Sequence, residues 1–433
     1  MPPFLPTRRG VLAASALLVP GLLAAGRAGA ATRVTGRDSL VAALQAARGG
    51  ETIVLEAGDY GTVELRHGKD GDFAYANPVT LRSARRDGPA VLDGMELQGF
   101  TNLSFDGLSL AYRAGPGAKL NKRCFRILEG RAITVRNSLF RGHIVREGEG
   151  EAADVGLPTG IGLVLSRSSD VLVENNLILD FHRGLAMGEA RDAVVRGNEL
   201  RGLRMDGMVF SKARGITIEA NFIHDFRRST AKSDHADMIQ FWTNGADFAT
   251  TDVTIRGNLL FAGPGGATQS IFMRNDMVDR GLAGKELYYR NIRIEENVII
   301  NGHTHGITLG ETEGAVIADN TLLRHPLFAT KADRDRKVRI PRIKLSEASL
   351  EARITGNMAA AWPEAQPGWT VAGNLAVQDL SPRRSGYYGD LFQNPFGPDT
   401  QDLANYLYRG DPGAGAALLR PGADRATFRP RQA

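Results

Sequence analysis

Asp234, His235 and Asp237 fall within four residues of one another in the run SDHADMIQFW, residues 233–242, directly ahead of an apolar stretch. Imidazole and carboxylate are the groups that move protons near neutral pH, so this cluster is a candidate acid–base centre. His235 and Asp237 share parity on an extended segment, which turns both toward one face. Gln240, if Met238 faces a core, needs a buried partner, and Trp242 offers a flat surface of the sort on which sugars stack. The structural alternative is a polar turn in which an aspartate caps a bend.

Further groups with chemistry collect nearby. Arg204, Asp206 and Lys212 surround GMVFSK, Arg274 and Asn275 end SIFMRN, and His303 and His305 lie in NGHTHGI. Lys212 or His235 could act as a base, and Arg204 or Arg274 could pair with a carboxylate of a ligand. Asp206, Asp234 and Asp237 are candidate calcium ligands, because a hard cation takes carboxylate oxygens. Asp206 and Asp237 could instead work as a carboxylate pair. Asn275 and Gln240 supply amides for hydroxyl groups, with Trp242 beside them. Two alternate histidines without a third ligand make a weak metal motif. The run KADRDRKVRIPRIK, residues 331–344, holds seven basic and two acidic residues, and its Arg336, Lys337 and Arg339 are candidate contacts for an anionic polymer.

These residues need elements to hold them, and a repeat supplies the elements. The pattern apolar-x-x-Asn ends at Asn176, Asn198, Asn221, Asn258, Asn297, Asn320 and Asn357, with Ser138 in the same place one unit earlier. The steps are 38, 22, 23, 37, 39, 23 and 37 residues, so a short unit recurs with and without about 15 extra residues. Within each unit, runs such as VTIRGNLL and IRIEENVII alternate with period two, the mark of strands. A unit of this size with three short strands is one turn of a parallel β-helix, and its asparagines form a turn column with stacked amides. The extra residues must then emerge as loops at about 143–158, 228–251, 262–290 and 325–344, walling a groove over the strands that carry the candidate site.

The ends read differently. Residues 1–30 hold the twin arginines Arg8 and Arg9, an apolar run from Val11 to Ala25 and the small-residue ending Ala28-Gly29-Ala30. That order predicts a cleaved twin-arginine export signal, and hence a periplasmic or secreted protein without membrane insertion after cleavage. Without Arg8, Arg9 and Arg27 the formal charge falls from +5 to about +2, which removes the support for nucleic acid as a partner. The single cysteine, Cys124, excludes an internal disulfide and reads as a small buried residue. DSLVAALQAARGG predicts a helix capping the first coil, with Asp38 as N-cap. The expected organisation is a solenoid over 31–375 and a Pro/Gly-rich tail over 376–433, packed on the solenoid or partly disordered and monomeric as a whole.

The repeat resembles the right-handed parallel β-helix superfamily of pectate-lyase-like proteins over about residues 32–375. AALQAARGGETIVLEAGDYG followed by NPVTLRSA resembles the opening of secreted alginate and chondroitin lyases of that fold, and HADMIQ is similar to a pattern in exported β-helix proteins. The lysine–arginine pair of those lyases has no matching motif here. The resemblance implies an all-β, right-handed solenoid and a carbohydrate context. With the cationic clusters it makes an acidic, uronate-containing polysaccharide the expected partner and a polysaccharide lyase the expected activity. A uronan epimerase, a glycoside hydrolase and a non-catalytic polysaccharide-binding envelope protein are the alternatives.

Overall fold

A computed structural model describes residues 31–229, 231–232, 234–263, 268–328 and 340–432. Residues 1–30, with the expected export signal, and Arg336, Lys337 and Arg339 therefore lie outside the described residues. The alternating runs form short parallel strands, because each buries one face against the coil interior. One sheet stacks thirteen strands from Thr32–Val34 to Thr370–Ala372, including Arg214–Glu219 and Thr251–Arg256. Two further strips complete each coil. One holds strands such as Arg183–Gly188, Met208–Ser211, Asp237–Trp242, Gln269–Met273, His305–Leu309 and Arg342–Leu345, each paired in parallel with the next. The other holds shorter strands such as Glu199–Arg201, Phe222–His224 and Leu259–Phe261. The chain is a right-handed parallel β-helix, all-β apart from short helices.

The asparagine column is a buried ladder. Asn258 Oδ1 accepts from the backbone N of Asn221 at 2.9 Å and from its Nδ2 at 3.0 Å, while Asn258 Nδ2 donates to Asn297 Oδ1 at 2.9 Å and to the Ile218 carbonyl at 3.0 Å. The same bonds recur from Asn176 to Asn374, and the backbone N of Ser138 donates to Asn176 at the ladder's start. The left-handed residue of each turn precedes the asparagine: Asn175, Gly197, Ala220, Gly257, Glu296 and Asp319 all have positive φ. The amide is selected for its hydrogen bonds, and its neighbour carries the backbone bend.

The first coil is closed by a helix, Arg37–Ala46, that buries Leu40 and Leu44. Its N-cap is Gly36, and Asp38 lies in the first turn instead, where a carboxylate still favours the helix N-terminus. Cys124 is fully buried. After the last strand, Leu375–Ala376, the chain turns back over the short-strand strip. Tyr388, Phe392, Tyr406, Tyr408 and Leu419 cover Phe261, Ile300, Leu323 and Met358 in a second apolar cluster outside the coil interior. At the end Arg431 donates from its backbone N to Glu199 Oε2 at 2.7 Å and from its guanidinium to the Gly197 carbonyl at 2.6 Å.

Candidate functional site

The insertions flank the strip of longer strands. Residues 143–160, 225–236 and 262–268 precede three of its strands, while 243–250 and 274–288 follow the last two of these. The strands beneath run in register, so an outward residue of one coil stands beside its counterpart in the next. Val209, Gln240, Phe272, Thr308 and Lys344 form one such row. At the corner where the chain enters these strands, Arg183, Asp206, Asp237, Gln269 and His305 hold the leading position of successive coils. The next position is often glycine for a steric reason. A Cβ on Gly207 would stand 2.4 Å from the Met238 carbonyl of the adjacent coil, and one on Gly184 would stand 2.7 Å from the Gly207 carbonyl.

This corner builds the site. His235 is exposed, and its Nδ1 lies 3.5 Å from Asp237 Oδ2, whose side chain is fully buried. Neither carboxylate oxygen of Asp237 has a hydrogen-bond partner among the described residues. The Asp237 carboxylate 3.5 Å away, opposed by partial burial, raises the His235 imidazole above its ordinary value. Burial likewise raises Asp237, with His235 pulling the other way. Asp206 is buried next to it: its Oδ1 accepts the backbone N of Asp237 at 3.2 Å and its Oδ2 the Nε of Arg183 at 2.7 Å. Burial pushes Asp206 up to about 7, with the Asp237 charge adding and Arg183 opposing. Gln269 Nε2 stands 2.5 Å from His235 Nε2.

A cavity of about 590 Å³ opens over this corner. Arg228, Arg274, Lys344 and the three histidines His235, His303 and His305 line it, against Asp234, Asp279 and Glu311. Of these, Asp234 pairs with Arg204 and Arg274 with Asp279. Burial drives His303 and His305 down to about 4, which keeps both neutral near pH 7. The His305 ring makes edge contact with Phe272 at 5.3 Å between centroids, and Phe272 makes edge contact with His235 at 6.1 Å. His303 Nδ1 accepts from the His305 backbone N at 3.2 Å, while His305 Nδ1 lies 2.7 Å from Thr308 Oγ1.

The remaining candidates divide. Arg274 reaches the cavity but pairs with Asp279. Arg204 does not face it: the side chain is fully buried and bridges Asp154 at 2.7 Å and Asp234 at 2.9 Å. Lys212 sits in the left-handed turn that leaves its strand, with φ 50°, and pairs with Glu189 at 2.8 Å. It stands outside the cavity lining because that turn belongs to the far edge of the strip. Asn275 is buried and donates to the Leu287 carbonyl at 2.7 Å, holding the loop that follows its strand. Gln240 is outward but only 6% exposed, packed between Val209 and Phe272, with Oε1 lacking a partner among the described residues. Trp242 is half-buried beside Ser211, outside the cavity lining.

The three aspartates do not assemble as calcium ligands. Asp234 is engaged by Arg204 while Asp206 and Asp237 lie together behind His235, and no cluster of three His, Cys, Asp or Glu side chains suited to a metal occurs among the described residues.

Gln269, His305, Arg228, Glu311 and Lys344 complete the lining without having stood among the leading sequence candidates. A signal for two of them existed. RGLAM, DGMVF, DMIQF, QSIFM and HGITL align as the same five positions of successive coils, each led by the corner residue.

Residues 160–335 match the family model of a right-handed β-helix region. The Dettilon tailspike protein superposes with a TM-score of 0.50 at 13% identity, over 81% of this chain and 63% of the tailspike, so the chain spans less than two thirds of that protein. An alginate lyase from Paenibacillus sp. strain FPU-7 gives a TM-score of 0.42 at 12% identity, over 79% of this chain and 98% of the lyase. The A-module of a mannuronan C-5 epimerase from Azotobacter vinelandii gives 0.39 at 14% identity, over 79% and 95% of the two chains. At 13% identity the likeness to the tailspike is one of fold. No curated protein matches the sequence.

Proposed function

We propose that this right-handed parallel β-helix protein is a carbohydrate-active enzyme that cleaves an acidic, uronate-containing polysaccharide by proton abstraction and β-elimination. The observation that carries the reading is the His235–Asp237 pair: an exposed imidazole at the cavity mouth backed by a buried carboxylate at 3.5 Å. A buried carboxylate of that kind orients the ring and stabilises its protonated form.

The histidines divide the proton work. The proton beside a uronate carboxylate leaves only when the carboxylate charge is offset, and Arg228 and Lys344 stand in the lining to do this. His305 is neutral, and if its Nδ1–H donates to Thr308, its Nε2 is a lone-pair base. His303 is less suited, because its Nδ1 already accepts a backbone hydrogen bond. His305 takes the C5 proton, the C4–C5 double bond forms, the C4–O bond breaks, and the His235 imidazolium protonates the departing oxygen. Two like side chains whose environments drive their proton affinities apart thus take opposite roles. A hydrolase needs a carboxyl group that reaches the glycosidic oxygen, and Asp206 and Asp237 are both fully buried beneath His235.

A panel of acidic polysaccharides, assayed for unsaturated ends with and without a chelator, tests the reading. The expected result is unsaturated product that survives chelation. New reducing ends without unsaturation would make the protein a hydrolase, and binding without turnover would make it a scaffold.

A further inference from the structure

A second cavity, of about 400 Å³, lies on the same edge of the same strip. Ala118, Lys119, His143, Glu151, Thr159 and Lys232 are among its lining. Thr159 and Lys119 come just before the strands Ile161–Ser166 and Arg123–Leu128, as Ala236 and Thr268 of the first cavity come just before theirs. The two cavities share a partition. Lys232 lines the second and Asp234, two residues on, lines the first. Arg204 is fully buried between them, tied to Asp234 on one side and to Asp154 of the second cavity on the other. Lys232 adds bonds to Asp154 and Glu151 at 2.9 Å each. Removing one partner from such a buried ion network is costly, so the partition is a fixed part of the wall.

We infer that the second cavity is a distal subsite for sugar residues of the same polymer, so that the enzyme binds chain interiors rather than chain ends. This rests on the polysaccharide reading above. From the coil of Ile161 to that of Gln269 there are four steps along the solenoid axis. At one coil spacing per step the cavities lie ~19 Å apart, about four sugar residues when a ring and its linkage advance one coil. The charges of the two cavities differ. In the distal one Lys232 is paired with Glu151 and Asp154, and His143 with Glu149. Lys119 is exposed, with no ion pair among the described residues. The distal subsite therefore offers one cation without an ion pair among the described residues, beside paired polar groups, suited to holding a chain through hydroxyls and a single carboxylate. The chemistry stays at His235.

Uronate oligosaccharides from trimer to octamer test this on the intact chain. The expected result is a kcat/KM that rises at least about tenfold once the chain reaches both cavities, the gain of one added subsite contact. Ala118→Trp, which fills the distal cavity from an exposed position, and Lys119→Glu should each bring the octamer-to-trimer ratio close to one. A ratio near one in the wild type, or one unmoved by both variants, overturns the subsite while leaving the eliminase reading intact. If no uronate is turned over, the eliminase reading falls and calorimetric titration of the same series decides the subsite alone. Affinity that grows with length and is lost in Ala118→Trp upholds it, and affinity that is absent or independent of length overturns it.

Discussion

Two columns of polar side chains run along this solenoid, and they have opposite fates. In the asparagine column each buried amide from Asn176 to Asn357 bonds to the asparagine of the next coil and to a backbone carbonyl of the preceding one. In the corner column Arg183, Asp206, Asp237, Gln269 and His305 differ at every step, and the carboxylate oxygens of Asp237 and Oε1 of Gln269 lack partners among the described residues. A saturated column has no bonding capacity left for a ligand, and its chemistry is stability. The second keeps capacity in reserve beneath an open cavity, which is what a site requires.

Substitutions that break each column should fail in different assays. The largest effect belongs to the ladder: Asn258→Ala removes the acceptor of two bonds from Asn221 and the donor to Ile218 and Asn297. Each orphaned group costs about 1–3 kcal/mol, so a denaturant titration should show a loss of several kcal/mol. A wild-type midpoint would mean the ladder is ornamental. His235→Ala comes next, with turnover down at least about 100-fold and an unchanged melting temperature. A wild-type rate would reduce the motif to a decorated turn.

Asp237→Asn sharpens the contrast. The Asp237 carboxylate beside the ring is what raises the His235 imidazole, so its loss lowers that proton affinity. With His235 as the acid, the alkaline limb of the pH–turnover profile should move to lower pH, and turnover at neutral pH should fall about tenfold. A profile that keeps its shape would show that Asp237 is structural only.

The smallest effect is a pH slope of stability. Burial pushes His182, His303, His305 and His325 down to about 4, so the folded state disfavours their protonated forms. Their contribution is complete above the unfolded value of 6.5 and is lost as pH falls toward 4. Asp206, raised to about 7, acts in the opposite sense: its share is present below the ordinary aspartate range and is lost as pH rises through 7. Melting temperature should therefore decline from pH 6.5 to pH 4, and the decline should steepen in Asp206→Asn, which removes one of the groups that oppose it. A rise over that interval would mean the histidines are not held neutral.

Legibility followed the same division. The ladder was readable because a turn repeated in every coil imposes one residue type, with the left-handed residue standing one position before it. His235 and Asp237 were readable as a pair because two residues of equal parity meet on any extended segment. The shared corner position of Gln269 and His305 was hidden by insertions of unequal length between each asparagine and the next corner. Arg204 misled for a related reason. Its exposed-looking charge is satisfied by Asp154, fifty residues earlier on another insertion, and single-sequence periodicity holds no record of such a partner.

The returning tail changes how the array should come apart. Stacked coils touch only their neighbours, so a bare solenoid can fray or unzip in stages. Here Arg431 bonds to Glu199 across 232 residues of chain, and its guanidinium reaches the Asn176 carbonyl across 255. Phe428 packs near Phe222 on the way. A linear stack is thereby fastened lengthwise by its own last residues. Unfolding of the central coils is coupled to release of the tail, giving one cooperative transition where loose coils would give several.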